Sequence, residues 1–545
     1  MTAAKTSLLS VRDLTIALPR GGDRQYAIQQ VSLDVAEREI VCIVGESGSG
    51  KSMTANTIMG LLPDYLQPQS GRLLFHGRDL LQQDDATLRS MRGKDIAMIF
   101  QEPLSALNPV MRVGHQIAEV MATHDMYAGT ARYERTLELM EYVGLPDPKQ
   151  LHDAYPFGLS GGQRQRVMIA MALALDPALL IADEPTTALD VTTQAQILAL
   201  IDRVQEHAGM GVLFVTHDFG VVAEIADRVV VMEKGLVVEQ GTADQVLNEP
   251  QHPYTRRLIA AIPTRRHGTG ADFGAQEAVL EVKDMRKIYR SGGGWFAKKR
   301  EVRAVDGVSF SLRPGETMGI VGESGSGKST IGKCLLRLES VDSGEISFRG
   351  RDISRLPERQ LRPMRKEIQM IFQDPFSSLN PRHTVRKIIT DGPRANGIAR
   401  QEAIAIATEL LDLVGLDQSA LNRYPNQFSG GQRQRIGIAR ALALDPRVII
   451  ADESVSALDV SVQAQVLELL RRIQQRLNIG LIFITHDLRV AAQICDAVAV
   501  MQNGVFVEYG APGRIFDHPQ EPYTQRLVAA IPGQERELTA VTSAG

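Results

Sequence analysis

The octapeptide GESGSGKS occupies Gly45–Ser52 and recurs letter for letter at Gly322–Ser329. Each copy follows an apolar run, EIVCIVG (Glu39–Gly45) or ETMGIVG (Glu316–Gly322), and leads into a helix-compatible stretch. A G-x-x-x-x-G-K-[ST] loop between strand and helix is the P-loop pattern. Its glycines let successive backbone N–H groups face an anion, and the helix N-terminus adds a favourable dipole. The pattern assigns phosphate contacts to Gly45, Glu46, Ser47, Gly48, Ser49, Gly50, Lys51, Ser52 and Met53. In the second copy they are Gly322, Glu323, Ser324, Gly325, Ser326, Gly327, Lys328, Ser329 and Thr330. Lys51 and Lys328 would reach the β- and γ-phosphates of ATP, and the hydroxyls of Ser52 and Ser329 would ligate Mg²⁺.

Working outward, the whole unit is written twice. Lys51 recurs 277 positions later as Lys328, whereas Asp183 recurs as Asp452 and His217 as His486 at a spacing of 269. The second copy is therefore eight residues shorter in its middle portion. Each copy runs strand, glycine loop, helix, then a middle section with helical spacing (Tyr133, Leu137, Met140, Val143; Ile404, Ala407, Leu411, Val414). Buried strands follow, ALLIADE and RVIIADE, then GVLFVTHD and GLIFITHD. Alternating apolar strands and helices predict an α/β core with a largely parallel sheet and a separate helical subdomain. The expected domains are 1–263 and 279–532, joined by a polar linker at 264–278 and ending in a flexible tail at 533–545. Ser291–Glu301, which holds the only tryptophan, Trp295, reads as an inserted loop without a counterpart in the first copy.

The 545 residues exceed what one core can hold. A hydrophobic share of 44% with 23% charged residues fits packed globular domains. A net charge of -4 argues against a nucleic-acid partner, because duplex affinity rests on a basic face. No apolar run approaches the ~20 residues that span a bilayer, and the first residues lack a signal-peptide core. Cys42 in a strand-like run and Cys334 and Cys495 in helices are too scattered for a disulfide framework or a metal cluster.

The acidic pairs ending the buried strands supply the next chemistry. Asp183 and Asp452 suit the holding of Mg²⁺, and Glu184 and Glu453 are placed to polarise an attacking water as general bases.

LSGGQ at Leu159–Gln163 and FSGGQ at Phe428–Gln432 resemble the signature of ATP-binding-cassette (ABC) ATPases. The other motifs of that family follow in order in both copies. They are a Q-loop glutamine (Gln101, Gln373), a D-loop ending in Asp190 or Asp459, and a switch histidine (His217, His486). The resemblance implies, for each copy, a RecA-like core, an antiparallel β subdomain and a helical signature subdomain. It implies that Gln101 and Gln373 join the Mg²⁺ and ATP ligands and that the two histidines meet the γ-phosphate. Ser160, Gly161, Gly162 and Gln163 precede an apolar-periodic helix, as do Ser429, Gly430, Gly431 and Gln432. Such a bare helix start can approach a phosphate, and in the family it completes the site of the opposite domain. An intramolecular pseudo-dimer with two composite sites is the expected assembly, both of them hydrolysing ATP. Tyr26 stands where relatives stack adenine; its counterpart is Arg303, with Trp295 or Tyr289 as substitutes.

FQEPLSALNP (Phe100–Pro109) and FQDPFSSLNP (Phe372–Pro381) resemble the Q-loop regions of bacterial peptide and nickel importers. QHPYTRRLIAAIP (Gln251–Pro263) and QEPYTQRLVAAIP (Gln520–Pro532) resemble the C-terminal motif of oligopeptide/dipeptide transporter ATPases, extending over about 240–263 and 510–532. Glu521 replaces the motif's histidine in the second copy. Fusion of two cassettes is similar to the ATPases of microcin C/peptide and glutathione importers. The resemblance implies two transmembrane permease subunits docking beside Gln101 and Gln373, a periplasmic solute-binding protein, and a place on the cytoplasmic face of the inner membrane. No cysteine lies near either C-terminal motif, so no iron–sulfur cluster is expected. A ribosome-directed tandem ABC protein would carry a long charged linker and a basic surface. A DNA-repair relative would carry zinc-ligand cysteine pairs or coiled coils. Neither pattern is present in the sequence.

Overall fold

The computed structural model describes residues 7–19, 24–187, 189–262, 273, 276–291, 300–374, 378–456 and 458–533. In the first half, β1 (Ser7–Ala17), β2 (Tyr26–Ala36), β4 (Pro68–Phe75) and β5 (Arg78–Asp79) form an antiparallel sheet in the order β2-β1-β4-β5. A second sheet contains β3 (Ile40–Val44), β6 (Ile96–Ile99), β7 (Leu179–Asp183), β8 (Gly211–Thr216), β9 (Arg228–Glu233) and β10 (Leu236–Thr242). Its order is β10-β9-β3-β8-β7-β6, parallel throughout except for the antiparallel edge strand β10.

The second half repeats this plan. The antiparallel sheet is built from β11 (Leu280–Ser291), β12 (Arg300–Leu312), β14 (Ser343–Phe348) and β15 (Arg351–Asp352). The other is built from β13 (Thr317–Val321), β16 (Ile368–Ile371), β17 (Val448–Asp452), β18 (Gly480–Thr485), β19 (Ala497–Gln502) and β20 (Val505–Gly510). The orders β12-β11-β14-β15 and β20-β19-β13-β18-β17-β16 match the first half strand for strand.

The apolar runs explain this layering. β3, β7 and β8 are buried at every residue, as strands of a parallel sheet covered on both faces must be. Side chains alternate between faces with a period of two. Val41, Ile43, Leu213 and Val215 enter a core shared with the antiparallel sheet and the helix Lys51–Ile58. Cys42, Val44, Val212 and Phe214 enter the opposite core, shared with helices Val113–Thr123, Thr130–Tyr142 and Gly161–Ala172 of the middle section. Phe214 is fully buried at the centre of that second core, where truncation to alanine costs about 3–5 kcal/mol.

The eight-residue shortening is spread over several places. The spacing between equivalent residues is 273 at Phe75 and Phe348, 272 at Ile99 and Ile371, and 269 at Gly161 and Gly430. Half of the loss thus precedes β4, outside the helical section. Cys42, Cys334 and Cys495 are free and buried, Cys495 one residue beyond the helix Leu488–Ile494 in which it was expected. Trp295, most of the linker and residues 534–545 lie outside the described residues. Among the described residues no helix is long and apolar enough to cross a membrane.

The parallel topology decides where chemistry can occur. The carboxyl ends of β3, β7 and β8 lie side by side and carry the P-loop, Asp183 with Glu184, and His217. In open α/β sheets that edge is where ligands bind.

Two candidate nucleotide sites

Each P-loop wraps its own lysine. Lys51 Nζ donates to the carbonyls of Gly45 (2.8 Å) and Glu46 (3.0 Å); Lys328 Nζ donates to those of Gly322 (2.8 Å) and Glu323 (2.7 Å). Burial lowers the pKa of both lysines, opposed by the carboxylates of Glu184 and Asp459 in one site and Glu453 and Asp190 in the other. The helices start at these lysines without a side-chain cap, leaving first-turn N–H groups for a ligand. A Cβ on Gly45 would lie 2.2 Å from the Met232 carbonyl oxygen, and one on Gly322 equally close to that of Met501. Only glycine lets the loop pass the end of the neighbouring strand.

The acidic pairs sit directly beside these loops. Ser52 Oγ donates to Asp183 Oδ1 at 3.0 Å, and Ser329 Oγ to Asp452 Oδ1 at 2.9 Å. Burial pushes the Asp183 carboxyl up to about 6 and raises that of Asp452. Gln101 Nε2 donates to Glu184 Oε2 at 2.9 Å, and Gln373 Nε2 to Glu453 Oε2 at 2.6 Å. His217 Nδ1 is 3.4 Å from Glu184 Oε2, and His486 Nδ1 is 3.6 Å from Glu453 Oε2. Burial alone would raise the Glu184 carboxyl. The hydrogen bond and charge of His217, with Lys51 and Thr187, outweigh it and hold the group at about 2. Glu453 is lowered likewise, through His486 and Lys328. Both glutamates lie in the left-handed backbone region, φ 45° and 43°, a conformation worth about 1–3 kcal/mol of strain. The same left-handed conformation recurs at other equivalent turns, such as Asp176 and Asp445, so it belongs to the repeated backbone plan.

The donor set fits a nucleotide with a divalent cation. A hydroxyl paired with a carboxylate offers hard oxygen ligands beside a lysine. The hydroxyls of Ser49 and Ser326 are buried in the two loops without a hydrogen-bond partner, which leaves each able to meet a phosphate oxygen.

The residues expected at the adenine ends differ between the halves. Tyr26 is half-buried at the start of β2, with the Arg24 guanidinium on the Gly48 carbonyl beside it. Over the second P-loop, Tyr289 and Arg303 both line the cavity that also meets Lys328 and Glu453. Trp295 is outside the described residues.

The two halves meet at these sites. The backbone N–H of Ser47 donates to Asp459 Oδ1 of the other half at 2.9 Å, and Asp190 reaches the cavity over the second P-loop. That cavity is lined by none of Ser160–Gln163. The contacts across the halves seen at these loops are therefore those of the D-loop carboxylates Asp459 and Asp190. The signature ends are also less bare than expected. Ser160 Oγ accepts from Gln163 N while Gln163 Oε1 accepts from Ser160 N, and Ser429 with Gln432 does the same. These are capping boxes, legible as S-x-x-Q.

Three features escaped the sequence reading. The first is a second cross-half contact to each P-loop glutamate: Thr192 Oγ1 donates to Glu323 Oε1 at 2.6 Å, and Ser461 Oγ donates to Glu46 Oε1. The second is a half-buried ion pair, in which Arg489 joins Asp218 of the first half (3.0 Å) to Asp487 of its own (3.3 Å). The third is that the hydroxyls of Tyr254 and Tyr523 reach the P-loops. Only the first carried a usable signal, a hydroxyl residue two places after each D-loop aspartate.

Comparison with known proteins agrees with this geometry. The family model described as ABC transporter matches residues 28–187 and 305–456, and that of the oligopeptide/dipeptide transporter C-terminal region matches 238–301 and 507–544. A peptidoglycan transport ATP-binding protein of Agrobacterium fabrum is 48% identical over 534 residues, covering 96% of each chain. A glutathione import ATP-binding protein of Salmonella choleraesuis is 47% identical over 557 residues, covering 96% of this chain and 89% of its own length. One from Escherichia coli K12 is 46% identical over 565 residues, covering 97% and 90%.

Proposed function

This chain belongs to the ABC transporter family of ATPases, and from that premise we propose that it powers the uptake of peptides or peptide-like solutes. It is the ATP-hydrolysing subunit of an importer and contains both cassettes of the pair. Two transmembrane permease subunits and a periplasmic solute-binding protein complete the machine, and the chain works on the cytoplasmic face of the bacterial inner membrane.

Each half supplies one set of hydrolytic groups. Lys51 and Lys328, each with a donor left over from the loop carbonyls, bind the β- and γ-phosphates. Ser52 with Asp183 and Gln101, and Ser329 with Asp452 and Gln373, would hold Mg²⁺. Mg²⁺ supplies charge neutralisation at the transferring phosphoryl group. Glu184 and Glu453, kept ionised beside His217 and His486, take a proton from the attacking water. Tyr26 stacks on adenine at the first site, and Arg303 with Tyr289 receives it at the second. Ser429–Gln432 close the first site and Ser160–Gln163 the second when the halves draw together, with Asp459 and Asp190 already across the gap. ATP thereby biases the halves toward closure and its hydrolysis releases them.

The observation that carries this reading is the twofold recurrence of one constellation with matching lengths, Ser–Asp at 3.0 and 2.9 Å and Gln–Glu at 2.9 and 2.6 Å. The test is turnover of the permease-bound chain. Loss of a general base slows its site on the order of 10²–10⁴-fold, so Glu184→Gln and Glu453→Gln should each depress transport-coupled hydrolysis. Wild-type turnover in either variant would refute the two-site scheme. Copurification with ribosomes alone, without two integral membrane proteins, would refute transport.

A further inference from the structure

Tyr254 and Tyr523 belong to the segments that resemble the oligopeptide/dipeptide C-terminal region, and no role above uses them. Tyr254, 3% exposed, stands in the first turn of the helix Pro253–Ala260. Its Oη accepts from the backbone N–H of Glu46 at 3.0 Å. Tyr523, 5% exposed in the helix Pro522–Ala529, accepts from the N–H of Glu323 at 3.1 Å. Glu46 and Glu323 are the second residues of the two P-loops, so each loop is pinned to its own C-terminal motif.

The tyrosines are themselves held firmly. The carboxylate of Glu239 accepts from the N–H groups of Gln251 (2.7 Å) and His252 (3.0 Å), immediately before Pro253. Glu508 accepts from Gln520 (3.0 Å) and Glu521 (3.2 Å), immediately before Pro522. The guanidinium of Arg257 lies 5.2 Å over the Tyr254 ring, and that of Arg526 5.9 Å over Tyr523. The histidine-to-glutamate difference at 521 leaves this clamp intact, because the clamp uses only the backbone N–H of that residue.

Glu46 is gripped at three places. Its N–H is bound by Tyr254, its carbonyl by Lys51, and its carboxylate by Ser461 of the other half. Glu323 repeats this with Tyr523, Lys328 and Thr192. The ammonium has three donors and spends one on this residue's carbonyl, so the orientation of the same peptide unit sets where the remaining N–H points for a phosphate. A bond that served only to dock the motif could end on any part of the fold. In both halves it ends on the residue that the lysine contacts.

We propose that Tyr254 and Tyr523 are positioning residues for the two nucleotide sites, acting through the backbone of Glu46 and Glu323 to set the entry of each P-loop. The proposal rests on the P-loops being the nucleotide sites. Tyr254→Phe and Tyr523→Phe remove the hydroxyl and keep the ring. In the full-length chain with Mg²⁺ and the fluorescent probe mant-ATP, each should weaken binding at its own site about five-fold, the weight of one hydrogen bond. KM for MgATP should rise more than kcat falls, and the unfolding temperature should stay at the wild-type value. Affinity within two-fold of wild type in either variant would overturn the proposal, whatever happens to the unfolding temperature. Binding of mant-ATP by the wild type separates the two readings. A wild-type chain that fails to bind it overturns the nucleotide sites themselves, and the tyrosine proposal with them.

Discussion

Arg489 offers the sharpest test of how the halves hold together. Its guanidinium meets Asp218 of the first half through Nη1 (3.3 Å) and Nη2 (3.0 Å), a forked pairing, and also binds Asp487. The Arg489, Asp218 and Asp487 side chains are 18%, 19% and 23% exposed. Burial would raise the Asp218 carboxyl; the charge and hydrogen bonds of Arg489 outweigh it and lower it. Arg489→Gln would leave two carboxylates facing each other without their cation. Breaking a deeply buried pair costs about 3–5 kcal/mol, and partial solvent access here reduces that to about 2–3 kcal/mol. At 2 kcal/mol the balance between associated and separated halves shifts about 30-fold. The three native cysteines are buried, so Tyr65→Cys and Leu338→Cys, at exposed sites, can carry a spin-label or fluorophore pair. The distance distribution between labels, measured without nucleotide, should broaden toward separation in Arg489→Gln and less so in Asp218→Asn. The cycle with the double variant should return a coupling of about 1–2 kcal/mol. A coupling under about 0.5 kcal/mol would refute the idea that this pair holds the interface.

Two further outcomes follow from the geometry. Gly45→Ala, which drives a Cβ into the Met232 carbonyl, should cut mant-ATP stoichiometry from about two per chain to about one. Retention of both sites would mean that the loop can bend away. The Glu239 carboxyl should keep the C-terminal motif docked well into acid. Burial raises its pKa, but the N–H groups of Gln251 and His252 lower it below the ordinary value. A depressed folded-state pKa means that the stabilisation is complete above the unfolded value of about 4.3 and is lost as pH falls through the folded one. Hydrogen exchange at Gln251 and His252, corrected for intrinsic rates, should therefore show constant protection from about pH 8 to 5. Weakened protection by pH 5 would contradict the clamp.

The sequence disclosed what is local and repeated. GESGSGKS, the acidic pairs and THD each lie at the end of a fully buried apolar run, so strand and loop were readable together. The sheet edge that collects them follows from parallel order, which the alternation of strands and helices implies. The contacts it hid are those in which one partner leaves no mark on the chain. Tyr254 binds a main-chain N–H 208 residues away, and any residue would offer that N–H. Arg489 meets Asp218 over 271 residues, and its repeat equivalent, Gly220, gives no hint of an ion pair. The Ser160–Gln163 box is legible as S-x-x-Q, and the same letters also spell a bare helix start.

That last substitution bears on partner choice. A Cβ on Gly220 would come within 2.6 Å of Arg489 Nη1 and 3.0 Å of the Pro532 carbonyl, so the first half keeps a notch where the second half has a peg. Two first halves set face to face would bring notch to notch and lose the clasp. Two second halves would crowd peg against peg, although Asp487, the repeat equivalent of Asp218, would still face each guanidinium. The halves are therefore selective for each other by volume as well as joined by the chain. Tethering raises their local concentration, while this one position favours the unlike pair.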